Sequence, residues 1–358
     1  MHLSRSVILM LLSVYFFISS IVLMKESVTR IGEESLRLLF SQISDTTTGV
    51  LVGWLGTAII QSSGAFDSVT VTLVSARAIP VTIGVAIILG AEIGTTVTTQ
   101  LVSILGYLSR DRAIFRLSFL VAMLHYSYNV VTTLIFFTIE VIFGSFTWIA
   151  LEGALLFGRV PGIATIPSIF DLITPWVDIL LSFMPSWVGL IAACGLLLVS
   201  LQQSEKHMSA VFATEVSRRL LQSTFGNPIK SFLVGLAFTT LVPSTSVMVS
   251  LLVPLTATRL IEADQYILPY ILGANIGTVF DVMVAALATG NPSAVGVWLV
   301  HLMINVLGAL IFLPLTRPFS IFVRKTNDFI TRSRNRTIAI FCLLNGIPLI
   351  ILLVKLIL

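Results

Sequence analysis

Two short clusters of small polar residues interrupt long apolar runs, and they are the first candidates for chemistry. The first cluster, which we call the first tip, is Gln61-Ser62-Ser63-Gly64, and the second cluster, the second tip, is Pro243-Ser244-Thr245-Ser246. A polar break inside an apolar run of membrane length is tolerated only where it is buried in protein or faces a wet cavity. A helical hairpin that turns at such a break presents free backbone N–H groups, hydroxyls and, at the first tip, an amide. We therefore expect each tip to help hold an anion.

The two tips are not identical. Proline stands at position 243 where the first tip has Gln61. Proline suits the first turn of a helix, because its missing N–H would lack a partner there anyway. The second tip thus keeps its hydroxyls and loses the amide.

A second pair of motifs follows the tips. Gly90–Thr95 reads GAEIGT and Gly273–Thr278 reads GANIGT, and the motifs begin 27 residues after Ser63 and 28 residues after the equivalent Thr245. Their closely spaced glycines allow either close helix packing or local unwinding. Hydroxyls and freed carbonyls at an unwound helix are suitable sodium ligands. Both interpretations stay open, and the candidate ion ligands on these segments are Thr95, Thr96, Asn275 and Thr278.

Three carboxylates fall inside apolar segments: Glu92, Asp67 and Asp281. Placing an ionised group within a membrane costs about 2.5–3.5 kcal/mol on insertion scales, so such residues tend to face a cavity and act in transport. Carboxylates near an anion also repel it unless a cation or a proton neutralises them. Our hypothesis is that at least one of them, Glu92 first, couples a sodium ion or a proton to substrate movement. The alternative is a structural carboxylate that only accepts hydrogen bonds.

The tips and glycine motifs belong to an internal repeat. A third repeated motif consists of His125-x-x-x-Asn129 and His301-x-x-x-Asn305, each within an apolar helix. Three motifs that recur in the same order and at similar spacing indicate that one half of the chain is a distant copy of the other. We expect the histidines to be packing residues, each hydrogen-bonded to the asparagine of its own helix.

The elements that position these residues are membrane helices. Hydrophobic residues make up 56% of the chain and charged residues 11%, against about 25% charged residues in ordinary soluble domains. The apolar runs lack the strict alternation of a β-barrel, so the prediction is an all-α, polytopic membrane protein. The basic residues lie in short connections between the runs, which excludes nucleic acid as the reason for a net charge of +4.

Basic residues also predict the orientation of the two halves. The connection before the first His-x-x-x-Asn helix holds Arg110, Arg112 and Arg116, whereas its counterpart at 288–294 has no charge. Positive charge marks the cytoplasmic side. The equivalent loops are therefore predicted to face opposite sides, as in inverted-topology repeats with a re-entrant hairpin and broken helices in each half. The N-terminus and the basic loop after residue 316 would be cytoplasmic.

These patterns divide the chain into four parts. The ranges are 1–142 for the first repeat, 143–185 for an external linker, 186–316 for the second repeat, and 317–358 for a basic loop and a final membrane helix. The run Ser6–Met24 has the length of a membrane span and is followed by no small-x-small cleavage site. We expect a multi-pass protein of a prokaryotic plasma membrane.

Taken in order, these motifs resemble the sodium-dependent phosphate cotransporter family, type II, over both repeats and most of the chain. The resemblance implies inverted repeats and sodium-coupled uptake of inorganic phosphate. It implies a substrate site formed by Gln61, Ser62 and Ser63 facing Ser244, Thr245 and Ser246. It also implies ion sites near Thr95, Asn275 and Thr278, with no cofactor beyond the coupling sodium ion.

The sequence departs from that family in ways that bear on the substrate. The second tip lacks the usual Gln-Ser-Ser sequence, Glu92 replaces the usual asparagine, and carboxylates occupy positions 67 and 281. Two alternatives are therefore kept beside phosphate symport. They are cation-coupled transport of another small solute and a non-transporting relative. An intramembrane enzyme is disfavoured, because a serine nucleophile needs a base within hydrogen-bond reach and His125 lies on a separate helix.

Overall fold

The computed structural model describes residues 2–31, 43, 45–108, 110–158, 169–212, 225–257 and 266–357. These residues form fifteen helices and no strand. In chain order they are α1 His2–Ile31, α2 Thr46–Ile60, α3 Ser63–Ser75, α4 Val81–Tyr107, α5 Arg112–Phe143, α6 Ser145–Gly158, α7 Ile169–Ser182, α8 Ser186–Phe212, α9 Pro228–Leu241, α10 Thr245–Ser250, α11 Leu252–Ala257, α12 Ile267–Ala288, α13 Pro292–Phe312, α14 Thr316–Ile330 and α15 Arg334–Ile357. The predicted all-α class is confirmed.

Several helices have the length and composition of membrane spans. Among the described residues, five qualify: Val81–Leu105, Arg112–Phe143, Ile267–Ala288, Pro292–Phe312 and Arg334–Lys355. The first four form the middle of the molecule, and the last is the predicted final membrane helix. The chain is thus a polytopic membrane protein. The sequence also has helical amphipathic spacing at about 28–43 and 208–225, which predicts helices in the membrane interface, but these stretches lie largely outside the described residues.

The first tip is the turn of a helical hairpin. Helix α2 ends because Gln61 adopts the left-handed conformation, with φ 62° and ψ 21°. Ser62 then caps α3, since its Oγ accepts a hydrogen bond from the N–H of Ala65. The ring of Phe66 lies where a Cβ on Gly56 would be placed, so the two helices fold back on one another. The hairpin expected from the sequence is present.

The second tip repeats this construction. Helix α9 ends at Leu241, and Ser244 caps α10 by accepting a hydrogen bond from the N–H of Val247. The two capping serines have the same φ of −148°. Because Ser, Thr, Asn and Asp are the residues that cap helices well, the hydroxyl clusters fix where the helices restart. After a one-residue interruption at Leu251 the chain continues into α11.

The glycine motifs pack helices closely and do not unwind them. Helices α4 and α12 run unbroken through both motifs. A Cβ on Gly90 would lie 1.9 Å from the carbonyl oxygen of Val50, and one on Gly273 would lie 2.0 Å from that of Phe232. Each motif therefore brings its helix into backbone contact with the first arm of its own hairpin. Of the two interpretations left open by the sequence, close packing is the one observed.

The threonines of the first motif agree with this result. Thr95 Oγ1 donates to the carbonyl of Ala91, and Thr96 Oγ1 donates to that of Ile93. Both hydroxyls thus satisfy the preceding turn of their own helix. No freed carbonyls are available at this point of α4, because the helix is intact.

The basic connection that contains Arg110 and its uncharged counterpart at 288–294 lie at opposite ends of α4. Asn291, in the uncharged loop, donates to the carbonyl of Ser75 shortly before α4 begins. Arg110 follows the end of α4, about 40 Å away at 1.5 Å per residue. Arg116 pairs with Asp328 at 2.6 Å, so the two basic segments share one end of the molecule. The inverted orientation of the repeats, and the side facing the cytoplasm, stay predictions.

The stretch predicted as a linker contains helices α6 and α7. Helix α6 begins where Gly144 adopts a left-handed conformation, and the carboxylate of Glu140 accepts hydrogen bonds from the N–H groups of Phe146 and Thr147. A Cβ on Gly296 would lie 2.0 Å from the carbonyl oxygen of Ala150, so α6 packs tightly on α13. Helix α6 is thus a packed part of the bundle, and the external location of the linker stays a prediction.

Candidate functional site

The two tips meet on one face of α4. Gln61 Oε1 accepts a hydrogen bond from Thr98 Oγ1 at 3.0 Å, and Ser246 Oγ donates to the carbonyl oxygen of Thr95 at 3.1 Å. Thr95 and Thr98 are three residues apart, which is about 4.5 Å along a helix. The tips, far apart in sequence, are thus neighbours in the structure.

Both tips also contact α12, the matching helix of the second half. A Cβ on Gly64 would lie 1.7 Å from Asp281 Oδ2, so this carboxylate rests directly against the backbone of the first tip. At the second tip, Thr245 Oγ1 donates to the carbonyl oxygen of Ala274 at 3.1 Å. Each tip is therefore held between one helix of its own repeat and one of the other repeat.

Glu92 lies at the centre of a hydrogen-bond network that joins the halves. Its Oε1 is 2.6 Å from the donating Nδ2 of Asn305 and 3.0 Å from Nε2 of His301. Asn129 Nδ2 donates to the backbone carbonyl of Glu92 at 2.9 Å, while its Oδ1 accepts from Asn275 Nδ2 at 2.8 Å. Glu92 and Asn275 occupy equivalent positions in the two glycine motifs. Each is bonded to an asparagine of the other half.

These contacts correct the prediction for the His-x-x-x-Asn motifs. Asn305 does donate to the backbone carbonyl of His301, but the imidazole of His301 pairs with Glu92 instead of with Asn305. His125 Nδ1 lies 3.5 Å from Thr99 Oγ1 on α4. The i and i+4 positions place each His and Asn on one helix face, and that face points at a neighbouring helix. The sequence signal was the repeated spacing, whereas the partner could not be read from it.

Asp67 is the most deeply buried of the three carboxylates. It is 1% exposed, and neither carboxylate oxygen has a hydrogen-bond partner among the described residues. His301 Nδ1 is 3.9 Å from its Oδ2, and Glu92 and Asp281 are within electrostatic reach. Buried acceptors without donors are costly, and clustered negative charge adds repulsion. A cation bound here would relieve both costs, which is the fit expected of an ion-coupling residue.

A small cavity adjoins Glu92. It measures about 10 Å³ and is lined by Leu89, Glu92, Tyr128, Thr132, Thr133, Phe136, Ile304 and Asn305. That volume is close to the space that one water molecule needs. Within the described part of the chain, no group of three or more His, Cys, Asp and Glu side chains could hold a metal ion. Any ion site here therefore depends on hydroxyl, amide and carbonyl oxygens as well as on carboxylates.

The remaining predicted site residues divide between two places. Ser63 and Ser244 are buried at the tips, and Thr278 is buried on α12. Thr96 instead accepts a hydrogen bond from Gln100 Nε2, and Gln100 in turn accepts from Asn345 on α15. Thr96 is therefore connected through Gln100 to the last helix. Among the described residues, no hydrogen bond of its side chain reaches the tips.

The hydrogen-bonding capacity of the tips decides what they can hold. Ser62 Oγ and Ser244 Oγ accept bonds from their own helices, which leaves both hydroxyl hydrogens free to be donated. The Gln61 amide, expected to face an anion, instead donates through Nε2 to the carbonyl of Ala58. The N-terminus of α3 is a natural anion site, and the Asp281 carboxylate already lies beside it. The tips therefore combine hydroxyl donors and a helix N-terminus with a carboxylate that lies directly beside that N-terminus.

Comparison with known proteins finds one protein family and several similar proteins. The family described as "Na+/Pi-cotransporter" matches residues 16–157 and 196–344. Human sodium-dependent phosphate transport protein 2B is 24% identical over 87% of this chain and 59% of its own length. Sodium-dependent phosphate transport protein 2A of Ovis aries is 24% identical over 86% of this chain and 60% of its own length. The 2B protein of Mus musculus is 32% identical over 37% of this chain and 20% of its own length.

The chain spans about 60% of the length of the relatives that match most of it. No solved structure matches the chain.

Proposed function

Because this chain belongs to the Na+/Pi-cotransporter family, we propose that it is a secondary active transporter that carries inorganic phosphate together with sodium across the cell membrane. The names of the relatives support sodium as the coupling ion and phosphate as the substrate. The protein would lie in the membrane as a multi-pass chain, with its N-terminus in the cytoplasm. No chemical transformation of the substrate is involved.

The observation that carries the proposal is the meeting of the two tips about one helical turn apart on α4. We assign phosphate to the space between Gln61-Ser62-Ser63 and Ser244-Thr245-Ser246. The N-terminus of α3 and the free hydroxyl hydrogens would donate hydrogen bonds to the phosphate oxygens. For the Gln61 amide to join them, its bond to Ala58 has to break.

The coupling cation is assigned to the polar centre beside the tips. Glu92, Asp67 and Asp281 supply negative charge there, and Thr95, Thr96, Asn275 and Thr278 are the candidate neutral ligands. A cation that binds first would neutralise carboxylates and lower the electrostatic cost of bringing in an anion. The two Asp67 carboxylate oxygens have no hydrogen-bond partner among the described residues, which supports binding of the cation first. Transport would follow by rearrangement of the two halves around the site.

The test is uptake of radiolabelled phosphate into proteoliposomes, with and without an inward sodium gradient. We expect uptake only with the gradient, and we expect Ser62→Ala with Ser63→Ala to abolish most of it. Thr138→Ala is the matched control, because its hydroxyl is on the exposed surface of α5 and bonds only to the preceding turn. Sodium-independent uptake, or equal uptake by the tip variant and the control, would contradict the proposal.

One observation favours a second candidate, transport of another small solute. The Asp281 carboxylate lies against the first tip, where it would repel a dianion more strongly than a monoanion or a neutral solute. The same proteoliposomes decide between the two when other radiolabelled solutes replace phosphate. If labelled sulfate or a labelled neutral solute is taken up with the sodium gradient and labelled phosphate is not, the substrate is not phosphate. A protein that moves none of them would be a non-transporting relative.

A further inference from the structure

The small cavity beside Glu92 lies between three helices that come from both halves of the chain. Leu89 and Glu92 on α4 and Thr132 and Thr133 on α5 line it from the first half, and Asn305 on α13 lines it from the second. Its volume of about 10 Å³ gives room for one particle of the size of a water molecule. A phosphate ion or a hydrated cation is too large for this space. A ligand of the cavity is therefore a water molecule or a bare ion.

The two threonines at the cavity donate their hydroxyl hydrogens to backbone carbonyls. Thr132 Oγ1 donates to the carbonyl of Tyr128 at 2.8 Å and lies 3.2 Å from that of Asn129. Thr133 Oγ1 donates to the carbonyl of Leu89 at 3.1 Å. A hydroxyl has one hydrogen and two lone pairs. Each threonine oxygen is therefore left with lone pairs to offer and with no hydrogen to donate.

The amide and the carboxylate at the cavity are in the same condition. Asn305 Nδ2 donates to Glu92 Oε1 at 2.6 Å and to the backbone carbonyl of His301 at 3.1 Å, so both of its hydrogens are used. Its Oδ1 can only accept. An ionised carboxylate also only accepts, and it has about four lone-pair sites. Tyr128 is the one further polar side chain of the lining among the described residues, and its hydroxyl can turn a lone pair toward the cavity.

A cavity lined by acceptor oxygens suits a cation better than water. The oxygen of a water molecule needs donors around it, whereas a bare cation needs oxygen ligands alone. Carboxylate, amide and hydroxyl oxygens are the ligands that hard cations prefer. Glu92 is the one carboxylate that lines the cavity within the described part of the chain. One negative charge balances a monovalent cation, and a sodium ion is smaller than a water molecule.

The internal repeat shows that these ligands are special to the first half. The three pairs of equivalent positions are Glu92 and Asn275, Thr132 and Gly308, and Thr133 and Ala309. The second half thus has neither the charge nor the two hydroxyls. Gly308 instead gives space to the first half, because a Cβ there would lie 2.3 Å from the Tyr128 hydroxyl oxygen and 3.3 Å from Thr132 Cγ2. The two halves differ at the positions that line or adjoin the cavity.

We propose that this cavity binds one bare sodium ion. Its oxygen ligands are Glu92, Thr132, Thr133 and Asn305. The choice of sodium rests on the proposed function, and the threonines and Asn305 lie outside the tips and the glycine motifs. Sodium bound here would hold α13 of the second half against α4 and α5 of the first. It would also neutralise Glu92 before an anion reaches the tips.

The test is binding of radioactive sodium to the full-length protein purified in detergent, without phosphate and with choline to keep the ionic strength constant. We expect saturable binding that excess potassium, the larger ion, does not displace. Thr132→Val should bind sodium about tenfold or more weakly, because one oxygen ligand of a charged species is lost. Thr132→Ser, which keeps the oxygen, should recover most of the binding.

Thr138→Val is the matched control. Its hydroxyl also donates to the preceding turn of α5, but it lies on the exposed surface, so this variant should bind sodium as the unmodified protein does. If Thr132→Val fails to fold, Thr132→Ala serves, since the contacts of the Thr132 hydroxyl stay within α5. Unchanged sodium binding by the Thr132 variant, equal loss in the control, or displacement by potassium would each overturn the proposal.

Uptake measurements separate this inference from the proposed function. Sodium binding that depends on Thr132, in a protein that never takes up labelled phosphate, would support the site and contradict phosphate symport. Sodium-dependent phosphate uptake by a protein whose sodium binding does not depend on Thr132 would support symport and overturn the site.

Discussion

Replacement of Gly90 by alanine tests how the glycine motif positions the site. The added Cβ would lie 1.9 Å from the carbonyl oxygen of Val50, 2.7 Å from its carbonyl carbon and 2.8 Å from the backbone nitrogen of Trp54. Contacts of a Cβ atom closer than 3.0 Å essentially do not occur, so helices α2 and α4 must separate by at least 3.0 − 1.9 = 1.1 Å. All three obstacles are backbone atoms, which cannot rotate away. Gly90→Ala therefore forces the helices themselves to move.

The expected loss of stability follows from this separation. Overpacking of a well-packed interior typically costs about 1–3 kcal/mol. Gly346→Ala on α15 is the matched control, because nothing lies within 4 Å of its added Cβ. Alanine is better than glycine within a helix by roughly 0.5–1 kcal/mol, so the control should be slightly stabilised. Gly90 lies inside helix α4 and gains the same helix propensity, so the two variants should differ by the overpacking cost alone, about 1–3 kcal/mol in the free energy of unfolding.

The assay is equilibrium unfolding of the purified variants in mixed micelles, with helix content as the signal. Gly273→Ala should behave like Gly90→Ala, since its Cβ would lie 2.0 Å from the carbonyl oxygen of Phe232. Phosphate uptake should also fall in Gly90→Ala, because α4 carries Glu92 and Thr95. A Gly90→Ala protein as stable as Gly346→Ala would show that α2 and α4 are not in backbone contact, and the description of the hairpin would be wrong.

Three further predictions concern buried and exposed carboxylates. Glu92→Gln should weaken the sodium dependence of phosphate uptake in proteoliposomes while leaving the protein folded; an unchanged sodium dependence would remove its coupling role. Glu140→Gln should lower the free energy of unfolding by roughly 1–3 kcal/mol, because charge-assisted bonds to the start of α6 are lost; an unchanged denaturation curve would refute that role. Burial raises the pKa of Asp45, but hydrogen bonds from Lys355 and Thr48 outweigh it and lower the pKa to about 2. Because the pKa is lower in the folded protein, the ionised Asp45 carboxylate stabilises the fold above about pH 4, and this stabilisation is lost as the pH falls toward 2. The melting-temperature difference between wild type and Asp45→Asn should therefore stay constant from pH 8 to pH 5 and shrink only below about pH 4.

Much of the local structure could be predicted from the residues alone. The serines at positions 62 and 244 cap the helices that follow them, as their side-chain chemistry requires. The hairpin at the first tip, the membrane helices and the final helix follow from apolar runs and polar breaks. These features depend on neighbouring residues, whose interactions are read directly from sequence.

The glycine motifs show where local reasoning left a choice. Closely spaced glycines permit both unwinding and close packing, and only a neighbouring helix decides between them. The backbone of α2 lies so near Gly90 that α4 stays intact and packed. Consequently the hydroxyl of Thr95 bonds within its own helix. Its backbone carbonyl accepts from the second tip.

The sequence by itself determined that the chain is an all-α membrane protein, that its motifs recur in two halves, and that polar residues interrupt its helices at two places. Only the tertiary structure decided the partners. His301 and Asn305 bond to Glu92 across the two halves, and Asp281 rests against Gly64. The physical reason is that helix periodicity fixes which face a side chain occupies, whereas the helix opposite that face is fixed by packing between distant segments. The site is built from such distant contacts.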